Sequence, residues 1–187
     1  IVTFIPSLII FPCSDSFTIL ARLFLMDYLD KFHKEYPNVA IQVFTDPSRI
    51  MRNMLKDGTI DCIITDHAPH AEEEKARGLA TAPNGIIGFE TALGATITNL
   101  VDPGLISYID MVRVMCYNPA KLLKIDRGEI AEGKVADITI FDPNREYVFL
   151  KEKIVSKSKN TPWINKKLKG QVRYTIVSGR VVYERGE

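Results

Sequence analysis

Asp61-Cys62-Ile63-Ile64-Thr65-Asp66-His67-Ala68-Pro69-His70 says more about this chain than any other stretch. An apolar, strand-like run ends abruptly in an acid, two histidines and a proline. A carboxylate at the carboxyl end of a buried strand is where barrel enzymes keep their chemistry. Aspartate and histidine are also metal ligands. The 187 residues hold only 3 histidines, so a multi-histidine metal site is not complete within them.

Upstream of this stretch the chain alternates strands and helices. Residues 1–12 are strand-like, and Ser14, Asp15 and Ser16 offer N-caps to a helix. That helix carries Phe17, Leu20, Phe24, Tyr28 and Phe32 at helical spacing. Pro37-Asn38 is a break, and Val39, Ile41 and Val43 alternate as a second strand. Asp46-Pro47 opens another helix, with Ile50, Met51, Met54 and Leu55 as its apolar stripe and Gly58 at its end. Residues 60–64 are then a third strand, which makes a parallel βαβαβ segment.

Downstream, residues 71–82 read as a polar loop and 82–88 as a run of turn formers. Helices are expected over 89–100, stopped by Asp102-Pro103-Gly104, and over 105–117. Asn118-Pro119 reads as an N-cap with Pro at the first helical position of a short helix through Leu123. After Glu129 the pattern turns to strands, at 135–142 and 147–150. A hairpin follows, with 172–177 and 181–183 joined by Ser178-Gly179. Residues 151–169 read as a basic, solvated loop.

Hydrophobic content of 46% and charge of 25% fit a soluble globular protein. A net charge of +1 gives no electrostatic reason to expect nucleic acid or an anionic membrane. Cys13, Cys62 and Cys116 are widely spaced and odd in number, which suits reduced thiols and a cytoplasmic setting. The apolar start, residues 1–11, is far shorter than the roughly 20 residues that span a bilayer. It reads as a core strand in a chain that does not begin at its natural start.

Thr65-Asp66-His67-Ala68-Pro69-His70, followed by Glu72-Glu73-Glu74-Lys75, resembles the late signature of dihydroorotase, a family of metal-dependent amidohydrolases. The resemblance continues through Asn84-Gly85-Ile86-Ile87-Gly88-Phe89-Glu90-Thr91-Ala92, Asn118-Pro119-Ala120 and Gly133-Lys134-Val135-Ala136-Asp137. It closes with Ser158-Lys159-Asn160-Thr161-Pro162-Trp163 and the terminal hairpin. It covers about residues 56–187. It implies an α/β fold: a partial (β/α) barrel of amidohydrolase type with a small C-terminal β-sandwich portion, preceded by the parallel βαβαβ segment. The implied reaction is ring closure of carbamoyl aspartate to dihydroorotate, and its reverse, in pyrimidine biosynthesis.

Residues 1–65 are similar instead to the effector-binding domain of LysR-type transcription regulators. Cys13-Ser14-Asp15-Ser16, the stretch from Phe32 to Val39, and Leu55-Lys56-Asp57-Gly58-Thr59-Ile60-Asp61 carry that likeness. Three parts are therefore expected: a regulator-like lobe at 1–56, a barrel part at 57–128 and a sandwich part at 129–187. Such a chain is chimeric or truncated, with a junction near Asp57-Asp61. The alternatives to an enzyme are a small-molecule effector-binding fragment or a non-functional fusion.

Asp66 is the expected catalytic residue, implied by the resemblance as zinc ligand and proton shuttle. The plainer reading is a turn or capping aspartate, and the signature around it favours the functional one. His70 is implied to contact the substrate carboxylate, and Asn84 and Gly85 to offer backbone groups to the substrate. An ordinary Asn-Gly turn is the competing reading of that pair. His67 is expected to be hydrogen-bonded within its loop, and Cys62 to be inert core. The implied partner is a small molecule, with no nucleic acid and no membrane; a homo-oligomer is compatible with the reading. A catalytic zinc needs about three protein ligands, and one aspartate does not supply them. We therefore expect the purified chain alone not to turn over dihydroorotate; ring opening that is abolished by Asp66→Ala would contradict this.

Overall fold

Three consecutive acids favour the amino-terminal end of a helix, where the backbone dipole is positive. Glu72-Glu73-Glu74 therefore open a single turn, α1 (Glu72–Lys75), and the Glu74 carboxylate accepts the Ala71 amide at 3.2 Å. The sequence reads as loop here; the acids make it helical. The computed structural model describes residues 61–65, 67–78, 81–83 and 85–186. The expected lobe at 1–56, with its strands, helices and Cys13, lies outside the described residues. Thr65–Glu187 form one compact unit.

The expected helix at 89–100 begins three residues later, as α2 (Ala92–Thr96), and continues into a π-helical turn, Ile97–Val101. Ile97, Leu100 and Val101 are buried on its inner side. At its end the Asp102 amide donates to the Ile97 carbonyl and the Gly104 amide to Val101, both at 2.8 Å. Ser107 then caps α3 (Tyr108–Val112) by accepting the Asp110 amide at 3.1 Å, while the Asp110 carboxylate accepts the Ser107 amide.

A second π turn, Arg113–Tyr117, runs directly into α4 (Asn118–Leu122). The expected N-cap at Asn118 is corrected here: its φ of −65° and ψ of −44° are helical, so it continues one helix. Pro119 lacks an N–H and its ring crowds the carbonyl four residues back. The wider π turn just before it relieves that crowding, which is how the helix passes a proline.

The carboxyl-terminal part is an antiparallel sheet of β1 (Ile138–Val148), β2 (Lys167–Val177) and β3 (Arg180–Glu184), in that order. Two expected strands, 135–142 and 147–150, merge into β1. Its register shifts between Asp142 and Glu146, where Pro143 cannot donate to the ladder. Asp142 turns the chain there by accepting the Asn144 and Arg145 amides at 3.0 and 3.2 Å. The expected hairpin is present, with Val177 opposite Arg180. Ser178 and Gly179 both have positive φ, 49° and 78°, as a tight two-residue hairpin turn requires.

Ile87, Phe149, Ile154 and Leu168 form a buried cluster, with Tyr147, Trp163 and Ile164 packed against it. The expected loop 151–169 thus supplies core residues, includes a 3-10 turn at Lys151–Lys153, and ends inside β2. Helix and sheet are tied where the Lys169 amide donates to the Thr98 hydroxyl at 2.8 Å.

The strand expected at 60–64 is not seen as one: residues 61–65 form no ladder among the described residues. Pairing starts later, as a parallel bridge between His67 and Ile86, with the Ala68 amide donating to the Ile86 carbonyl at 2.9 Å. Pro69, with no N–H, ends it. Among the described residues no helix is long and apolar enough to cross a membrane. Leu168 is 1% exposed, so Leu168→Ala should lower stability by about 2–5 kcal/mol, read by urea denaturation.

Candidate active site

The site expected from sequence lies where the His67–His70 segment meets the turn before Ile86. Two of its four residues, Asp66 and Asn84, lie outside the described residues. The other two, His70 and Gly85, come together. Gly85 has φ +116°, a conformation suited to glycine. A Cβ there would lie 2.6 Å from the Ala68 Cβ, 3.0 Å from the Ala68 carbonyl oxygen and 3.4 Å from His70 Nε2. A side chain at Gly85 would need the Ala68 segment to move. His70 is half-buried, and its Nδ1 stands 3.7 Å from the Glu74 carboxylate one helical turn on.

His67 is held from across the site. Its Nδ1 accepts the Gly88 amide at 3.1 Å and the Phe89 amide at 3.3 Å. Its ring stacks on Phe89, with centroids 4.0 Å apart and 7° between planes. This contact accounts for Phe89, whose side chain is otherwise exposed. The bonds run to the 88–89 segment, which corrects the expectation of a bond within the His67 loop.

Sequence reasoning assigned no role to Lys75, Glu90 or Asn160, although each stands in a quoted motif. Lys75 Nζ donates to the Pro83 carbonyl at 2.6 Å and the Gly85 carbonyl at 2.9 Å. Asn160 Nδ2 also donates to the Gly85 carbonyl, at 2.7 Å. Glu90 accepts the Val155 and Ser156 amides, each at 3.0 Å, and the Ser156 hydroxyl at 2.6 Å. Burial opposes the charged form of Glu90, but the Ser156 hydroxyl, the two amides and nearby Lys159 outweigh it. Its carboxyl is held below the usual range. Lys159, expected to be solvated, instead donates to the Ile154 and Ser156 carbonyls at 2.5 and 2.8 Å. No sequence pattern marks these partners, because they are backbone carbonyls and amides.

A groove of ≈ 280 Å³ beside α1 is lined by Lys75, Lys151, Lys159, Glu72 and Asn160 among others. Neither His70 nor Gly85 lines it, so it is not assigned to the substrate. Among the described residues no three His, Cys, Asp or Glu side chains converge as metal ligands. His67 Nδ1 is engaged by two amides, so that nitrogen is not free to bind a metal. The described residues therefore do not fit a metal centre by themselves. Cys62 is half-buried; burial and then adjacent Asp61 push its thiol up, so it is a poor thiolate.

Residues 11–182 match the amidohydrolase family, and the chain belongs to that family. It is similar to the dihydroorotase of Clostridium acetobutylicum, 51% identical over 130 residues, which are 70% of this chain and 31% of that protein. The dihydroorotase of Endomicrobium trichonymphae is 53% identical over 131 residues, again 70% and 31%. The chain thus spans about a third of the length of the curated relatives it matches. Among solved structures it is similar to the L-hydantoinase (dihydropyrimidinase) from Arthrobacter aurescens, with TM-score 0.68 and 33% identity, covering 73% of this chain and 32% of that one. The D-hydantoinase from Thermus sp. gives TM-score 0.66 and 25% identity, covering 74% and 32%. Family and structural likeness together give a fold of partial (β/α)-barrel type.

The depressed Glu90 carboxyl has a pH signature. Its contribution to stability is present above its ordinary value of 4.5 and is lost as pH falls below that through the folded-state value. The stability gap between wild type and Glu90→Gln should therefore narrow on acidification below pH 4.5. Urea denaturation at a series of pH values measures it, and a gap that stays constant would contradict the clamp.

Proposed function

We propose that this chain carries part of the substrate site of a dihydroorotase-type cyclic amidohydrolase, joining and opening the ring between carbamoyl aspartate and dihydroorotate. The observation that carries the reading is the close seating of Gly85 against Ala68 and His70, in the two motifs the dihydroorotase resemblance rests on. Identity of 51–53% to the two dihydroorotases supports the reaction class.

In this reading His70 donates to the substrate carboxylate, and the Asn84 and Gly85 backbone meets the ring, which glycine allows by lacking a Cβ. Asp66 accepts the proton of the attacking water and delivers it to the departing ring nitrogen as the carbon–nitrogen bond breaks. In ring closure the proton returns along the same path. Zinc is the metal the reading implies, with Asp66 its one proposed ligand here; since the described residues do not fit a metal centre, no step is assigned to it. The barrel part at 57–128, a β-sandwich part at 129–187 and a cytoplasmic setting belong to the same proposal. Exposed Tyr174, Val177, Val181, Val182 and Tyr183 on β2 and β3 support the sandwich, because apolar strands of this kind suit a second layer.

A second reading concerns residues 1–56 as a regulator-like lobe joined near Asp57–Asp61. The dihydroorotases match 68–79% of the chain rather than all of it, which leaves room for such a lobe but does not point to a regulator. Against it, the family match begins at residue 11. A genomic read across residues 40–70 separates the two.

Calorimetric titration of the full chain with dihydroorotate tests the main proposal. We expect saturable binding, displaced by carbamoyl aspartate and weakened about tenfold or more in His70→Ala, the loss of a hydrogen bond to a charged group. No binding, or binding that His70→Ala leaves untouched, would overturn the reading.

A further inference from the structure

The Gly85 carbonyl oxygen receives two donors from opposite directions in sequence. Lys75 Nζ reaches it at 2.9 Å and Asn160 Nδ2 at 2.7 Å. A carbonyl has two lone pairs, so both are engaged. Lys75 also binds the Pro83 carbonyl at 2.6 Å, so one ammonium holds the carbonyls on either side of position 84. Asn160 likewise acts twice, because its own backbone carbonyl accepts the Ile87 amide at 3.0 Å. Because the peptide unit is planar, fixing the Gly85 oxygen also fixes the plane that the next residue extends. On its other side this segment makes the parallel bridge to His67 and presses Gly85 on Ala68 and His70.

We propose that Lys75 and Asn160 are positioning residues: together they set the Gly85 backbone at the distance from His70 that the cyclic amide substrate needs. The proposal rests on the dihydroorotase-type reading for the identity of that substrate. Neither side chain touches the ring; each acts through the Gly85 peptide. A charged donor makes the stronger bond. Asparagine adds direction, since its amide must point at Gly85 while its backbone serves Ile87.

The test uses the full chain, 15N-labelled, with Lys75→Met, Lys75→Arg and Asn160→Asp. The last is close in shape but turns a donor into a carboxylate facing a carbonyl. Lys75→Met and Asn160→Asp should speed amide exchange at Ala68 and Ile87 by about tenfold or more, as for one lost hydrogen bond, with Val172 in β2 as the unchanged control. The dihydroorotate Kd should rise by a similar factor, and Lys75→Arg should restore most of it. A purely structural role would lower Tm and leave Kd where it was.

Unchanged exchange at Ala68 and Ile87 in both variants overturns the proposal, whether or not ligand binds. Faster exchange with an unchanged Kd overturns it too, and leaves the reaction class intact. A wild-type chain that does not bind dihydroorotate removes the reaction class. Faster exchange in that chain would still support the hold of Lys75 and Asn160 on Gly85.

Discussion

One carbonyl oxygen, that of Gly85, joins three parts of this chain, one of them 75 residues away in sequence. A helix turn supplies Lys75, the loop before β2 supplies Asn160, and the glycine itself rests on the segment that carries His70. Glu90 does the same work one turn later by holding the amides of Val155 and Ser156. Without these bonds the His67–His70 segment would be tied to residues 86–89 through the parallel bridge and the His67 side chain. The rest of the site inherits its geometry from them.

What holds the unit together is not what decorates its surface. The ion pairs Arg127–Asp137 and Lys134–Glu129 join exposed groups, and such pairs contribute little in water. Ile87, Phe149, Ile154 and Leu168 are different: they bring the site segment, the end of β1 and the start of β2 into one apolar cluster. Ile87 is both a core residue and the acceptor segment's neighbour, since its amide is bound by Asn160. Core packing and site geometry therefore share a residue, and a change in one is felt in the other.

Much of this was legible in the sequence, and the exceptions have physical reasons. The hairpin could be read because Ser178-Gly179 demands a specific backbone. The helix stop at Asp102-Pro103-Gly104 could be read for the same kind of reason. Asn118-Pro119 misled, because a π turn lets a helix pass a proline that local rules treat as a start. Two strands were inferred where one exists, because a turn made by Asp142 is invisible to an alternation pattern. At the site, the sequence singles out His70 and Gly85, which the fold brings near each other, but marks nothing at Lys75, Glu90 or Asn160. Their partners are backbone carbonyls and amides, which every residue has and no sequence pattern marks.

The break in β1 has an effect of its own. Among the described residues β1 stands at one edge of the sheet, and an edge strand with an open row of backbone donors and acceptors invites a foreign strand to add on. Pro143 removes a donor from that row, and the Asp142 side chain draws the next two amides to itself. A chain approaching along this border would find the template broken midway, at Pro143 and the two amides after it.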